Sequence, residues 1–277
     1  MGSEPTRNEQ RTVEKSASRM EMRSSPSSKN WIEQYREQGF AIFEKLISSD
    51  LIDSHPRSYE QLLHQYGAHE RGSLDRLPPE ERAALDRDIE NIYSRPELSL
   101  PLCRDQGIHT LASELFGSES VSWTPLTLIW GGGAIPHRDL LGYRDPACEA
   151  VRLWIALEDL HDESGLLYVV PGSHESAYRY DEFLDQRPEF LEILRKLARG
   201  GTDASSWHVL MKPILDHHHE ESACIEASRP KRILRFKKGD ALLFDPALVH
   251  GSLVAGDPAL TRRLRFAPML SILSLRM

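Results

Sequence analysis

A histidine and an aspartate two residues apart stand after a glycine run in Gly131-Gly132-Gly133-Ala134-Ile135-Pro136-His137-Arg138-Asp139. In extended backbone, positions i and i+2 project to the same side, so His137 and Asp139 can face one point while Arg138 is directed away. Far along the chain, the apolar run Ala241-Leu242-Leu243-Phe244-Asp245-Pro246-Ala247-Leu248-Val249 leads to His250. A buried strand that delivers a polar residue at its end supplies a third donor. Two imidazoles and one carboxylate on one side of an ion leave coordination positions open, an arrangement that suits non-haem iron(II). An isolated His-x-Asp is common on protein surfaces, so the weight of this reading comes from the neighbouring sequence.

That neighbouring sequence is Arg152-Leu153-Trp154-Ile155-Ala156-Leu157-Glu158-Asp159, then Glu163-Ser164-Gly165-Leu166-Leu167-Tyr168-Val169-Val170-Pro171-Gly172-Ser173-His174. With His137-x-Asp139 before it and Gly239-Asp240…His250-Gly251-Ser252 after it, the region from about 120 to 270 resembles the phytanoyl-CoA dioxygenase family. That family includes ectoine hydroxylase and many bacterial tailoring oxygenases. The resemblance implies a jelly-roll core, Fe(II) on His137, Asp139 and His250, and 2-oxoglutarate and O₂ as cosubstrates. It also implies oxidation of an unactivated C–H bond in a small metabolite, with release of succinate and CO₂.

The distal carboxylate of 2-oxoglutarate needs a cation, and arginine can give it two parallel hydrogen bonds. In the resembled family this arginine follows the distal histidine on the next strand. Here Arg262, Arg263 and Arg265 stand in that region. Strand alternation places Arg262 with Leu264 and Phe266 on one face, and Arg263 with Arg265 on the other. Arg262 fits the family pattern better. Arg265 breaks that pattern, and the loop Ala255–Thr261 is one residue longer than expected, so Arg263 stays a rival. Ser252 resembles a second contact to the same carboxylate. Trp154 stands where the family often has an aromatic residue beside the cosubstrate, although a core tryptophan would read the same way. The carboxylate of Asp139 favours hydroxylation over halogenation. Desaturation, epoxidation and cyclisation stay open. The reading from a different class is a non-catalytic jelly-roll module that binds a small molecule. A zinc hydrolase is disfavoured because the chain has no HExxH.

The elements that must position these residues follow from the pattern along the chain. Residues 1–28 are polar and read as disordered. Residues 29–277 read as one oxygenase domain. Helices come first: one around Trp31, Ile32 and Tyr35 closed by Gly39, one after Ser48-Ser49-Asp50, one opening at Leu77-Pro78-Pro79, and one from about 100 to 116. Strand-like runs follow at 121–130, 150–157, 166–170, 231–236, 240–245, 248–254 and 262–272. This order predicts a mainly β fold with flanking helices and a double-stranded β-helix, cupin-like core at about 120–175 and 231–272. An insert occupies about 176–230. Within it, Asp216-His217-His218-His219-Glu220-Glu221 looks metal-binding by composition but reads as a solvated loop. His161-Asp162-Glu163 reads as loop, and His174 as structural.

With 34 Lys and Arg against 42 Asp and Glu, the net charge of −8 does not favour nucleic acid or anionic membrane as a partner. No apolar run approaches the ~18 residues of a membrane span. The three scattered cysteines offer neither a disulfide framework nor a zinc ribbon, so a cytoplasmic location is expected.

Overall fold

The computed structural model describes residues 28–54, 105–117, 121–128, 134–139, 148–176, 204–254 and 267–275, with scattered positions at 64–84 and 186–195. Helix α1 (Ser28–Gln38) leads into strand β1 (Phe40–Phe43), and helix α2 (Gln106–Phe116) precedes strand β2 (Val121–Leu128). Strand β3 (Cys148–Ile155) and strand β4 (Leu167–Val169) follow. Helix α3 (Ala204–Ser228) then leads to strands β5 (Arg232–Ile233), β6 (Ala241–Phe244), β7 (His250–Ser252) and β8 (Ala267–Leu275). The strands form two antiparallel sheets: five strands in the order β1-β6-β3-β8-β2, and three in the order β5-β4-β7.

Alternation along β1, β3 and β6 divides the large sheet into two apolar faces. Ala41, Phe43, Val151, Leu153, Ile155, Ala241 and Leu243 pack with Trp31 of α1 and with Ile108 and Leu111 of α2. Their neighbours on the other face, Phe40, Leu242 and Phe244, pack with Val169, Leu234, Phe236 and Leu248. One face therefore carries helices and the other meets the small sheet. Each fully buried Leu, Ile or Phe contributes about 1.5–3 kcal/mol. The layers are fixed by these two clusters, and the second one adjoins the putting-together of the His250 strand end through Phe244 and Leu248.

The helix ends match their sequence signals. The Asp105 carboxylate accepts the amides of Gly107 and Ile108, and Gly117 closes α2 in a left-handed conformation. The helix is therefore shorter at its start than the 100–116 expectation. Gly39 closes α1 with φ +81, and a Cβ there would lie 2.6 Å from His174 Nδ1 and 2.8 Å from Leu248 Cδ1. The Val-Pro-Gly-Ser-His run seals the same helix end. Gly172 N–H donates to the Gln38 carbonyl at 2.9 Å, and His174 Nε2 donates to the Arg36 carbonyl at 3.1 Å. His174 is structural, as its sequence context suggested.

Of the last expected strand, 262–272, residues 267–272 lie in β8 and 262–266 lie outside the described residues. One expectation changes. The His-rich stretch is not a solvated loop: it lies inside α3, where Ile214, His218 and Ser222 form a buried stripe at i, i+4 and i+8. Within the insert, Phe183, Leu184, Phe190, Leu191, Ile193 and Leu194 have the spacing of a helix over 181–199, a stretch mostly outside the described residues.

Gly39→Ala should lower unfolding stability by at least about 2 kcal/mol, combining left-handed backbone strain with overpacking against His174 and Leu248. Chemical denaturation with an unchanged m-value checks this.

Candidate metal centre

His137 and His250 are joined by an antiparallel bridge. His137 N–H donates to the His250 carbonyl at 2.9 Å, and His250 N–H donates to the His137 carbonyl at 3.0 Å. The pairing continues along residues 134–139. Ser252 N–H reaches the Ala134 carbonyl at 3.0 Å, and Asp139 N–H reaches the Pro246 carbonyl at 2.8 Å. Strand β7 thus lies between β4 and the segment bearing the His-x-Asp. Gly251 is required by this crowding, since a Cβ there would sit 2.5 Å from Tyr168 Oη and 2.9 Å from the Ala134 carbonyl.

The side chains of His137, Asp139 and His250 converge, each offering one ligand atom within 4.8 Å of the others. Asp139 Oδ1 lies 3.8 Å from His137 Nε2 and 3.9 Å from His250 Nε2. Each imidazole turns its other nitrogen to a backbone carbonyl: His137 Nδ1 to Ile135 at 2.8 Å and His250 Nδ1 to Leu248 at 3.0 Å. A donating Nδ1–H leaves the Nε2 lone pair facing the centre, which is the tautomer a metal needs. Burial pushes the His250 pKa down to about 4, against the pull of Asp139, so this ring is neutral near pH 7. The rings of His137 and His250 are 4.2 Å apart, and Phe244 meets His250 edge-on at 4.8 Å.

Arg152 holds the carboxylate from behind. Its Nε donates to Asp139 Oδ2 at 3.1 Å, with a longer 3.5 Å contact from the guanidinium to the Asp139 carbonyl. Oδ2 is thereby engaged while Oδ1 faces the histidines. Arg152 was not singled out from sequence, yet a charged residue inside the apolar strand Val151–Ile155 was the available signal. Ser173 was also missed. Fully buried, its Oγ accepts the Val249 amide at 2.8 Å and fixes the approach to His250. A third missed residue is His218, whose Nε2 lies 2.8 Å from the Arg138 carbonyl and 3.2 Å from the Arg138 amide. Burial lowers the pKa of this imidazole.

The cosubstrate candidates are only partly described. Trp154 is half-buried on the same face of β3 as Arg152, with its ring 5.2 Å from Phe236. Ser252 Oγ accepts the Ala134 amide at 2.8 Å, which leaves the hydroxyl proton to donate elsewhere. Arg262 and Arg263 lie outside the described residues. Asp162–Ser164 forms a short 3₁₀ turn preceded by His161, and Asp162 pairs with Arg235 at 2.7 Å.

The model of the phytanoyl-CoA dioxygenase family matches residues 35–254. The chain belongs to that family. Phytanoyl-CoA dioxygenase domain-containing protein 1 of Bos taurus is 46% identical over 46 residues, a stretch that spans only 16% of this chain and 16% of the bovine protein. Among solved structures, EctD from S. alaskensis in its apoform has a TM-score of 0.54 at 17% identity, covering 90% of this chain and 78% of its own. The non-haem alpha-ketoglutarate-dependent carbocyclase SnoK from nogalamycin biosynthesis has a TM-score of 0.52 at 17% identity, over 89% and 83%. The epimerase SnoN, in complex with Fe3+, alpha-ketoglutarate and nogalamycin RO, has a TM-score of 0.51 at 15% identity, over 90% and 86%. These likenesses show a shared fold. Among the described residues, no helix is long and apolar enough to cross a membrane.

Removing one member of a buried ion pair costs about 3–5 kcal/mol. Arg152→Ala should lose stability on that scale in metal-free protein, because the Asp139 carboxylate keeps its burial without its partner. Urea unfolding of the two proteins side by side checks this.

Proposed function

We propose that this protein is an Fe(II)- and 2-oxoglutarate-dependent dioxygenase that hydroxylates an unactivated C–H bond of a small metabolite. The observation that carries the reading is the convergence of two imidazoles and one carboxylate in a chain of the phytanoyl-CoA dioxygenase family. The donor set fits iron(II): nitrogen and oxygen ligands on one side, with the tautomer of each histidine set by a backbone carbonyl. On this reading the two sheets are the halves of a jelly roll, and residues 29–277 are one domain with an insert at about 176–230.

His137, Asp139 and His250 hold the iron. With 2-oxoglutarate and O₂, that iron supplies an oxidant strong enough to take a hydrogen atom from a C–H bond, with succinate and CO₂ as coproducts. Every other task falls to the chain. Arg152 keeps Asp139 oriented with one oxygen toward the centre. Arg262, with Arg263 as rival, receives the distal carboxylate of 2-oxoglutarate, and the Ser252 hydroxyl donates to it. Trp154 flanks the cosubstrate. The apolar cluster around Phe244 and Leu248 keeps water from the back of the site. The same oxidant serves desaturation, epoxidation or cyclisation if the substrate is held differently, so product analysis separates these outcomes.

The test is succinate formation dependent on Fe(II), 2-oxoglutarate and O₂. His137→Ala, Asp139→Ala and His250→Ala should each abolish it and weaken metal uptake while leaving the fold intact. Metal uptake without succinate would instead favour a binding module. Arg262→Ala should raise the 2-oxoglutarate requirement by roughly a hundredfold or more, the equivalent of about 3 kcal/mol. Arg263→Ala should change it a few-fold. A large effect at Arg263 in place of Arg262 would reverse the strand phase, and no effect at either would sink the cosubstrate assignment.

A further inference from the structure

Among the described residues, no strand pairs with the segment of His137 and Asp139 on the side away from β7. The backbone of His137 and the amide of Asp139 are used on the β7 side: His137 pairs with His250, and the Asp139 amide reaches Pro246. The amide and carbonyl of Arg138, between them, point the other way. In a sheet those two groups would meet another strand, and buried backbone groups left unmet cost stability. Here both face one atom, Nε2 of the His218 imidazole from α3, 2.8 Å from the carbonyl and 3.2 Å from the amide, and this nitrogen serves one of them at a time, as donor to the carbonyl or acceptor from the amide.

His218 is held to that task. It is buried, in the stripe with Ile214 and Ser222, and Ser222 Oγ donates to its carbonyl at 2.8 Å. The far end of α3 is tied to the small sheet and its flanking turn. Glu226 hydrogen-bonds Tyr168, Lys231 bonds Glu226 at 2.8 Å, and Arg229 donates to the Gly172 carbonyl at 3.1 Å. The next residue, His219, turns its ring to within 6.5 Å of the His137 ring. The helix of the insert is thus a wall beside the metal centre, joined to it at the peptide between two ligands.

We infer that His218 is a positioning residue for the metal centre: it holds the Arg138 peptide from the side where a neighbouring strand would lie, fixes the separation of His137 and Asp139, and couples docking of α3 to metal binding. The inference rests on the iron site proposed above. Outer-shell partners of metal ligands typically contribute about 10–100-fold to affinity. Coupling between two sites acts in both directions, so metal binding must also tighten the helix.

Co(II), as a spectroscopic stand-in for Fe(II), tests this without turnover. Wild type, His218→Leu and His218→Gln are titrated with Co(II), following the visible d–d absorption and the affinity. The Leu variant keeps bulk but lacks ring nitrogens, and should bind about 10–100-fold more weakly with an altered spectrum. The Gln variant offers a donor and an acceptor, and should recover most of the affinity and the wild-type band. If the Leu variant does not fold, the wild-type measurement decides: amide hydrogen exchange with and without Co(II) should show added protection at 214–228 as well as at 134–139. Wild-type affinity and spectrum in the Leu variant, a Gln variant no better than Leu, or exchange at 214–228 indifferent to Co(II) would each overturn the inference. Wild-type protein that takes up no Co(II) at all would bring down the proposed iron site together with it.

Discussion

The backbone bridge between His137 and His250 sets the geometry on which the site depends. Two hydrogen bonds, 2.9 and 3.0 Å, bring residues from opposite ends of the sheet region into direct opposition. Opposed residues in an antiparallel pair share a face, so the bridge alone turns both imidazoles to one side. Asp139, two residues on, joins them by strand alternation. A one-residue slip of 134–139 against β7 would send His137 and Asp139 to the far face and replace them with Arg138. Register is therefore a functional quantity here, and much of the surrounding structure restrains it.

Three restraints come from different parts of the chain. Ser252 binds Ala134 through both its amide and its hydroxyl, locking one end of the pairing. Ser173, in the Val-Pro-Gly-Ser-His run, accepts the Val249 amide and sets the height of β7. Gly251 lets Tyr168 and the Ala134 backbone close over β7 from the outer face. The run that made the family resemblance specific thus has a mechanical role. Its serine holds the strand end bearing His250, and its glycine and histidine hold the end of α1. Through these contacts the run supports the strand end that bears His250 without donating a ligand itself.

The strand pattern and the triad were legible because both rest on short periods. Alternation names the inward residues of β1, β3 and β6, and the glycine and aspartate punctuation names the ends of α1 and α2. Helix α3 was not legible for a physical reason. Its buried stripe is Ile214, His218 and Ser222, and Pro213 interrupts its first half, so little apolar periodicity marks the face that packs. Polar residues were bought there by partners from remote sequence, which no local pattern records. Arg152 was overlooked for a related reason: the apolar strand around it drew notice to Trp154, while its role required knowing where Asp139 lay. The place of Arg262 and Arg263 lies outside the described residues, so the choice between them still rests on strand phase alone.

The pairing of Arg152 with Asp139 bears on how the site stands ready before any ion arrives. A partly buried carboxylate beside two imidazoles costs desolvation unless a cation pairs with it. Arg152 supplies that charge at Oδ2, while Oδ1 faces the histidines. Lysine would place a point charge there but would not fix the carboxylate plane, whereas the arginine engages both the side chain and the backbone carbonyl of Asp139. The centre is in this way oriented in advance. An incoming cation then meets a carboxylate oxygen and two imidazole nitrogens already turned toward it, so little reorganisation opposes its binding.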